Sequence, residues 1–202
     1  YLDHLAPICY CLQMPLIVTE EKTYKSAKTF YPQIQVIHKE LNDLSLQYIA
    51  NNFDVIFESG KFFAAELKPF LSLVYQKQVR FVFCPHGNSD KGHSMQTRNF
   101  QDISLDYGAH MVDLLKQTKA FVEGQHMVRS GNYRLCFYLK HKKFYDALAT
   151  QILDPALDSH KKTILYAPTW QDGENPSSFF TSTDVLIEQL SKKYNLIIKL
   201  HP

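Results

Sequence analysis

The sequence predicts an α/β fold built around parallel strands. Short runs of apolar and β-branched residues recur along the chain, and stretches with a three-to-four-residue apolar spacing separate several of them. Such runs are typical of strands buried on both faces, as in parallel sheets. Polar and turn-forming residues follow several runs directly, at the edge where open α/β sheets bind their ligands. The predicted strands cover residues 15–20, 34–37, 53–57, 79–84, 120–123, 163–167 and 195–200.

Helical spacing is clearest in the second half of the chain. Between positions 133 and 152 apolar side chains repeat every three or four residues, which predicts one long helix of about five turns. Pro69 either kinks the helix predicted around it or lies in the first turn of a separate one. Residues 20–32 are predicted to be a polar connection. The other predicted helices cover residues 41–49, 63–74, 109–118 and 183–193.

The composition excludes several classes of protein. The 202 residues are 45% hydrophobic and 21% charged, which predicts a globular chain with a buried core. The formal net charge of +2 provides no electrostatic case for nucleic-acid binding. No apolar stretch reaches the roughly 20 residues of a membrane-spanning helix, and the first residues do not resemble a signal peptide. Four cysteines without a zinc-binding spacing favour reduced thiols in the cytoplasm.

A polar stretch divides the chain into two predicted domains. Asp154, Pro155 and residues 158–162 interrupt the helical pattern, and a strand, a helix and a second strand follow. We expect residues 1–157 to form an N-terminal α/β domain. We expect residues 158–202 to be the first β-α-β unit of an incomplete C-terminal domain, because a lone unit cannot cover its own sheet faces. The chain begins without Met and stops at Pro202, so we expect a fragment of a longer protein.

Three loops that follow predicted strands carry residue types suited to binding phosphate. A neutral imidazole can act as a base near neutral pH, while lysine and loop amides can supply positive charge. A histidine before a glycine at a strand end is about as often only a hydrogen-bonded turn residue, so each loop alone is weak evidence. The candidate residues are His86, Gly87, Asn88, Lys91, Thr169, Trp170 and His201.

Taken together, the three loops resemble the motifs of the CDP-glycerol glycerophosphotransferases, cytoplasmic enzymes that build polyol-phosphate polymers such as teichoic acids. That family has a strand ending in His-Gly with a lysine after three further residues, a Pro-Thr-Trp loop, and a strand ending in Leu-His-Pro. Here these motifs lie at residues 86–91, 168–170 and 200–202, and the resemblance covers residues 53–202. The family's Gly-x-Pro-Arg turn has Tyr133 in place of proline before Arg134. Its Asp-Tyr-Ser-Ser element would lie beyond residue 202.

The resemblance implies a Rossmann-like glycosyltransferase-B fold, with an acceptor-side domain followed by a nucleotide-binding domain. It implies transfer of a glycerol-phosphate group from CDP-glycerol, or a related CDP-polyol, to a hydroxyl of a polyol-phosphate or glycolipid acceptor, with release of CMP. His86 is the implied catalytic base, and Arg134 joins the other candidate residues in binding substrate phosphates. No cofactor or metal site is implied, and Asp90 is the residue that could contact a bound Mg²⁺.

Other interpretations stay open. The chain could be a sugar-nucleotide glycosyltransferase or epimerase of the same fold, or a non-catalytic module that binds the acceptor. Residues 129–143 carry five basic side chains and no acid. This run is either a solvated face or a contact with anionic lipid, which would place the protein peripherally at the inner face of the plasma membrane. The five side chains are Arg129, Arg134, Lys140, Lys142 and Lys143.

Overall fold

The computed structural model describes residues 2–60, 63–86, 100–119, 125–168 and 177–200. The chain forms two compact units, Tyr1–Lys140 and His141–Pro202. The helices of the first unit are α1 (Leu2–Leu12), α2 (Glu21–Phe30), α3 (Leu46–Asn52), α4 (Phe63–Tyr75), α5 (Ala109–Gln117) and α6 (Tyr133–Lys140). Its strands are β1 (Leu16–Val18), β2 (Val36–His38), β3 (Val55–Glu58), β4 (Arg80–Phe83), β5 (Ile103–Asp106) and β6 (His126–Arg129).

Every strand pair of the first unit is parallel among the residues described. β1 pairs with β2 in a two-stranded sheet, and β3, β4, β5 and β6 form a four-stranded sheet in that order. The register aligns Glu58 with Phe83 and Asp106 with Arg129, so the strands end close to one another at the carboxyl edge. The predicted α/β fold with parallel strands is therefore confirmed.

Strand β4 lies inside the four-stranded sheet and carries the core on both faces. Phe81 is fully buried in a cluster with Ile49 of α3 and with Leu71 of α4. Val82 is buried against Ile8 of α1 in a second cluster on the other face. Helices therefore cover both faces of the strand, which explains why its sequence is a continuous apolar run.

Two helices occupy segments where the sequence analysis placed none. α1 precedes the first predicted strand, and α2 replaces the polar connection predicted for residues 20–32. Ala27 is the buried residue of α2, and Lys25 on its exposed side pairs with Glu21 at 3.2 Å. An exposed helix with so narrow an apolar face has the composition of a loop, because polar and charged residues together fill most of its positions.

The backbone shows the outcome of two further helix predictions, the one around Pro69 and the long helix between positions 133 and 152. Pro69 lies within the single helix α4 on an exposed position, where water can replace the lost backbone hydrogen bond. The long helix predicted between positions 133 and 152 is wrong. It is interrupted at His141, whose φ of −107° and ψ of 20° are not helical, and α7 (Lys142–Leu153) begins after it. Apolar spacing continues across a one-residue interruption, so the pattern does not reveal it.

The second unit is a β-α-β arrangement preceded by α7. Strand β7 (Thr163–Tyr166) pairs in parallel with β8 (Asn195–Ile198), and α8 (Ser178–Leu190) connects them. This confirms the predicted strand, helix and parallel strand. The helix begins earlier than the predicted residue 183, and the Ser177 hydroxyl caps its first turn by accepting from the Phe179 amide.

No helix in the described ranges is long and apolar enough to cross a membrane.

Candidate functional site

The candidate site lies at the carboxyl edge of the four-stranded sheet. Each strand of a parallel sheet delivers the residues that follow it to the same edge. Ser59 follows β3, His86 follows β4, Tyr107 follows β5, and Arg134 lies in the first turn of α6 after β6. These residues, which are far apart in the sequence, are thereby brought together around His86.

The imidazole of His86 has a defined hydrogen-bonding role. Its Nε2 lies 2.7 Å from the backbone oxygen of Ser59. A carbonyl oxygen only accepts hydrogen bonds, so Nε2 must carry the proton and donate it. In the neutral ring the lone pair then resides on Nδ1, and the tautomer is set by the backbone of a neighbouring strand. The imidazole is thus prepared to accept a proton at Nδ1.

The peptide that carries His86 is held from both neighbouring strands. The Ser59 hydroxyl donates to the Cys84 carbonyl at 2.8 Å, and both residues are buried. On the other side the Tyr107 hydroxyl lies 3.5 Å from the Pro85 carbonyl, at the outer limit of a hydrogen bond. The strand end before His86 is therefore fixed laterally, which limits the positions that the imidazole can take.

Arg134 reaches the same place from α6. Its Nη1 donates to the backbone oxygen of His86 at 3.4 Å. The turn before α6 contains Gly131, whose φ of +67° lies in the left-handed region, and Asn132, whose side chain accepts from the Leu135 amide at 3.0 Å. Tyr133 takes the first helical position, which tolerates many residue types besides proline. A tyrosine at this position is therefore compatible with the cap of the helix.

Sequence reasoning missed polar residues that contribute to this edge. His4 on α1 stacks on His86, with ring centroids 4.8 Å apart. Glu58 and Gln101 are buried, and the Gln101 amide donates to the Glu58 carboxyl group at 2.9 Å. Burial raises the pKa of Glu58, while the Gln101 bond opposes this shift. Glu58 directly follows the apolar residues of β3, so a polar residue at this edge could have been predicted. Nothing in the local sequence indicates that Glu58 pairs with Gln101 or that His4 contacts His86.

No family model matches the chain, and no curated protein matches its sequence. Among solved structures, the wall teichoic acid polymerase TagF matches with a TM-score of 0.56 at 13% identity. The UDP-N-acetylglucosamine 2-epimerase from Rickettsia bellii matches with a TM-score of 0.59 at 11% identity. The fold is the glycosyltransferase-B fold.

At these identities the two likenesses establish the glycosyltransferase-B fold and nothing finer. The matches cover 98% and 100% of this chain but 61% and 59% of the two matched chains. The chain therefore spans about three fifths of the length of each structure. The Rossmann-like fold class implied by the sequence motifs is confirmed.

Six of the eight candidate site residues from the sequence motifs lie outside the described residues. His86 and Arg134 are described and lie together at the carboxyl edge. The positions of the other six stay predictions. They fall in residues 87–99, 169–176 and 201–202 and are Gly87, Asn88, Lys91, Thr169, Trp170 and His201. Asp90 falls in the same ranges.

The described residues contain no metal-binding cluster, and a pocket among them lies away from His86. No group of three or more His, Cys, Asp or Glu side chains is placed to bind a metal ion within the described ranges. A pocket of about 600 Å³ lies beside the residues that precede β1 and β2, lined in part by Gln13 and Gln33. None of the residues gathered around His86 lines this pocket, so it is separate from the candidate site.

The basic run at residues 129–143 is largely exposed, but some of its charges make contacts within the protein. Arg134 donates to the His86 carbonyl, and the Lys140 amine lies 5.0 Å from the centre of the Tyr10 ring. Lys142 forms an ion pair with Asp146. The run also divides between α6 in the first unit and α7 in the second. Several of its charges therefore have intramolecular contacts.

Proposed function

We propose that this chain belongs to an enzyme that transfers a polyol-phosphate group, with glycerol phosphate from CDP-glycerol as the leading donor. The acceptor is a hydroxyl of a polyol-phosphate or glycolipid, and CMP is the second product. The glycosyltransferase-B fold and the His-Gly, Pro-Thr-Trp and Leu-His-Pro motifs support this assignment. The hydrogen bond between His86 Nε2 and the Ser59 carbonyl carries it, since it leaves His86 suited to act as a base.

In the proposed reaction His86 removes the proton of the acceptor hydroxyl through Nδ1. The hydroxyl oxygen forms a bond to the phosphorus that carries the glycerol, and the bond from that phosphorus to the bridging oxygen breaks. CMP leaves with the electron pair of this bond. A positioned general base of this kind typically contributes on the order of 10²- to 10⁴-fold to the rate. Phosphoryl transfer otherwise depends on positioning and charge stabilisation.

Arg134 is the described residue best placed to supply positive charge. One of its N–H groups donates to the His86 carbonyl, and a guanidinium has five such donors in a planar fork. The planar fork suits phosphate oxygens, which it can bind in pairs. The residues proposed to complete the binding of the substrate phosphates are Gly87, Asn88, Lys91, Thr169, Trp170 and His201.

Replacing His86 by alanine in the full-length protein tests the base. We expect CMP release from CDP-glycerol to fall at least 100-fold. The matched control is His126→Ala, because His126 is exposed and lies at the first position of β6, away from the carboxyl edge. Circular dichroism should show unchanged secondary structure in both variants. Turnover of His86→Ala within threefold of the wild type would exclude His86 as the base.

A binding panel separates this function from the alternatives. CDP-glycerol, CDP-ribitol, UDP-sugars and CDP-sugars are compared by thermal shift, because a true donor raises the melting temperature. We expect a CDP-polyol to give the largest shift. A UDP-sugar as the strongest ligand would instead favour a sugar-nucleotide transferase or epimerase. Binding of a polyol-phosphate acceptor without turnover of any donor would favour a non-catalytic module.

Peripheral membrane contact is proposed for the exposed side chains of the basic run. Arg129, Lys140, Lys142 and Lys143 are exposed, although Lys140 lies over the Tyr10 ring and Lys142 pairs with Asp146. We expect weak, salt-dependent binding to vesicles that contain anionic lipid, since screening weakens exposed charges. Flotation at low salt tests this contact, and absence of binding there would remove it.

A further inference from the structure

His4 lies against the proposed base although it is distant in sequence. The two imidazole rings are stacked, with centroids 4.8 Å apart and an angle of 26° between their planes. Helix α1 is held over the sheet by Ile8, which packs in the same buried cluster as Val82 of β4 and Cys84 directly after it. The stacking is therefore supported by a packed helix.

The charge state of His4 is set by its surroundings. Burial lowers its pKa from 6.5 to about 4, and the nearby Arg134 guanidinium and His86 contribute to the same shift. Asp3 acts in the opposite direction, but its carboxylate accepts a hydrogen bond from the Tyr31 hydroxyl at 2.6 Å. His4 is therefore a neutral imidazole near pH 7, with one N–H donor and one acceptor nitrogen.

One of those nitrogens has no partner within the described structure. His4 Nδ1 is buried, and no hydrogen-bonding group among the described residues satisfies it. A buried polar atom left unsatisfied costs about 1–3 kcal/mol, so such atoms call for an explanation. Stacking alone does not explain it, because a phenyl ring would stack on His86 without that cost. A bound ligand that satisfies the nitrogen explains it.

The neighbours of His4 indicate which ligand this is. Arg134 is close enough to lower the pKa of His4, and one of its N–H groups reaches the His86 carbonyl. No ion pair joins Arg134 to a carboxylate among the residues that the structure describes. A guanidinium beside a neutral N–H donor is suited to an anionic oxygen, with the charge-assisted bond supplied by arginine.

We propose that His4 is a further ligand-contacting residue, whose Nδ1–H binds an anionic oxygen of a phosphate ester together with Arg134 beside His86. The choice of a phosphate ester rests on the proposed function. That His4 contacts an anionic ligand does not rest on the proposed function, because it follows from the stacked ring, the unsatisfied nitrogen and the adjacent guanidinium. His4 would bind the substrate, while His86 would remove the proton.

Two substitutions separate the ring of His4 from its nitrogens. His4→Phe keeps a flat ring and removes both nitrogens, whereas His4→Asn keeps a hydrogen-bonding group near the position of Nδ1. The matched control is His110→Phe, because His110 is exposed on α5. The ligand probe is inorganic phosphate, compared by thermal shift with potassium chloride at equal ionic strength.

We expect phosphate to raise the melting temperature of the wild type, His110→Phe and His4→Asn. His4→Phe should lose most of this shift, with the apparent dissociation constant for phosphate raised at least fivefold. Without phosphate, its melting temperature should equal or exceed that of the wild type, because the unsatisfied nitrogen is gone. Unchanged phosphate binding in His4→Phe would overturn the proposal, as would a wild type that responds equally to phosphate and chloride.

The same measurements distinguish this inference from the proposed function. If phosphate binding depends on His4 but no CDP-polyol is turned over, the phosphate site stands and the proposed reaction fails. If CDP-glycerol is turned over but His4→Phe binds phosphate normally, the reaction stands and the role of His4 fails.

Discussion

Replacing Ser59 by alanine tests how the proposed base His86 is held in place. This hydroxyl donates to the Cys84 carbonyl at 2.8 Å, and the Ser59 carbonyl receives the His86 imidazole. Ser59→Ala removes the first bond and leaves the main-chain acceptor of the second. The substitution therefore loosens the strand end before His86 without deleting a group that contacts the imidazole.

The magnitude follows from the burial of both partners. Ser59 is 2% exposed and Cys84 is fully buried, so water cannot easily replace the lost hydroxyl. An unsatisfied buried acceptor costs about 1–3 kcal/mol. We expect the free energy of unfolding to fall by about 2 kcal/mol. With a urea m-value of about 2 kcal/mol per molar, the midpoint of unfolding shifts by about 1 M.

The assay is urea unfolding followed by circular dichroism, with Ser72→Ala as the matched control. The Ser72 hydroxyl accepts an exposed hydrogen bond from Gln78 at 3.2 Å, so its loss should cost less than about 0.5 kcal/mol. We also expect Ser59→Ala to lower turnover more than Ser72→Ala. Equal stability of the two variants would refute the reasoning, because burial would then not determine the cost.

Further predictions concern the backbone, the pH dependence and the thiols. Gly131→Ala should lower the free energy of unfolding in urea by about 1–2 kcal/mol, because its φ of +67° is unfavourable for alanine even though no atom obstructs a Cβ. The control Gly108→Ala, at an extended φ of 176°, should change it by less than about 0.5 kcal/mol. His4 binds a proton near pH 4 when folded and near pH 6.5 when unfolded. The unfolded state therefore binds more protons between these values, and the wild type should lose more stability from pH 7 to pH 5 than His4→Gln. A steeper loss in His4→Gln would contradict the shift. Iodoacetamide should label the two exposed thiols of the native protein before the two buried ones, because burial raises the pKa values of the buried thiols to about 11 and about 12. Mass spectrometry measures the order of labelling, and a buried thiol labelled first would contradict this prediction. The exposed thiols are Cys11 and Cys136, and the buried ones are Cys9 and Cys84.

Much of the strand framework could be predicted because buried parallel strands have distinctive sequences. Apolar runs marked β1, β3, β4, β7 and β8, and helices cover β4 on both faces. β5 and β6 were not predicted. The sequence of β5 (ISLD) contains the fully buried Ser104 and Asp106, which hydrogen-bond each other at 3.3 Å, and such buried polar pairs look like loop residues. β6 begins with an exposed histidine and ends with an exposed arginine.

The candidate site was predictable only in part, because a local sequence pattern marks single elements and not the contacts between them. His86 follows an apolar strand and begins a recognisable motif, and Arg134 remains where the motif expects it. His4 has no motif, and its contact with His86 depends on how α1 packs against the sheet and α6. Spacing in the sequence carries information about neighbours on one element. It carries almost none about which helix covers which strand end.

The residues around His86 come from separate segments of the chain. Ser59 and His86 are 27 positions apart, and His86 and Arg134 are 48 positions apart, with their own strand before each of them. One loop can therefore acquire a new side chain while the strands beneath the other two keep their pairing. An evolving protein with this layout can change the molecule that it recognises in single steps, and each step risks little of the folded framework.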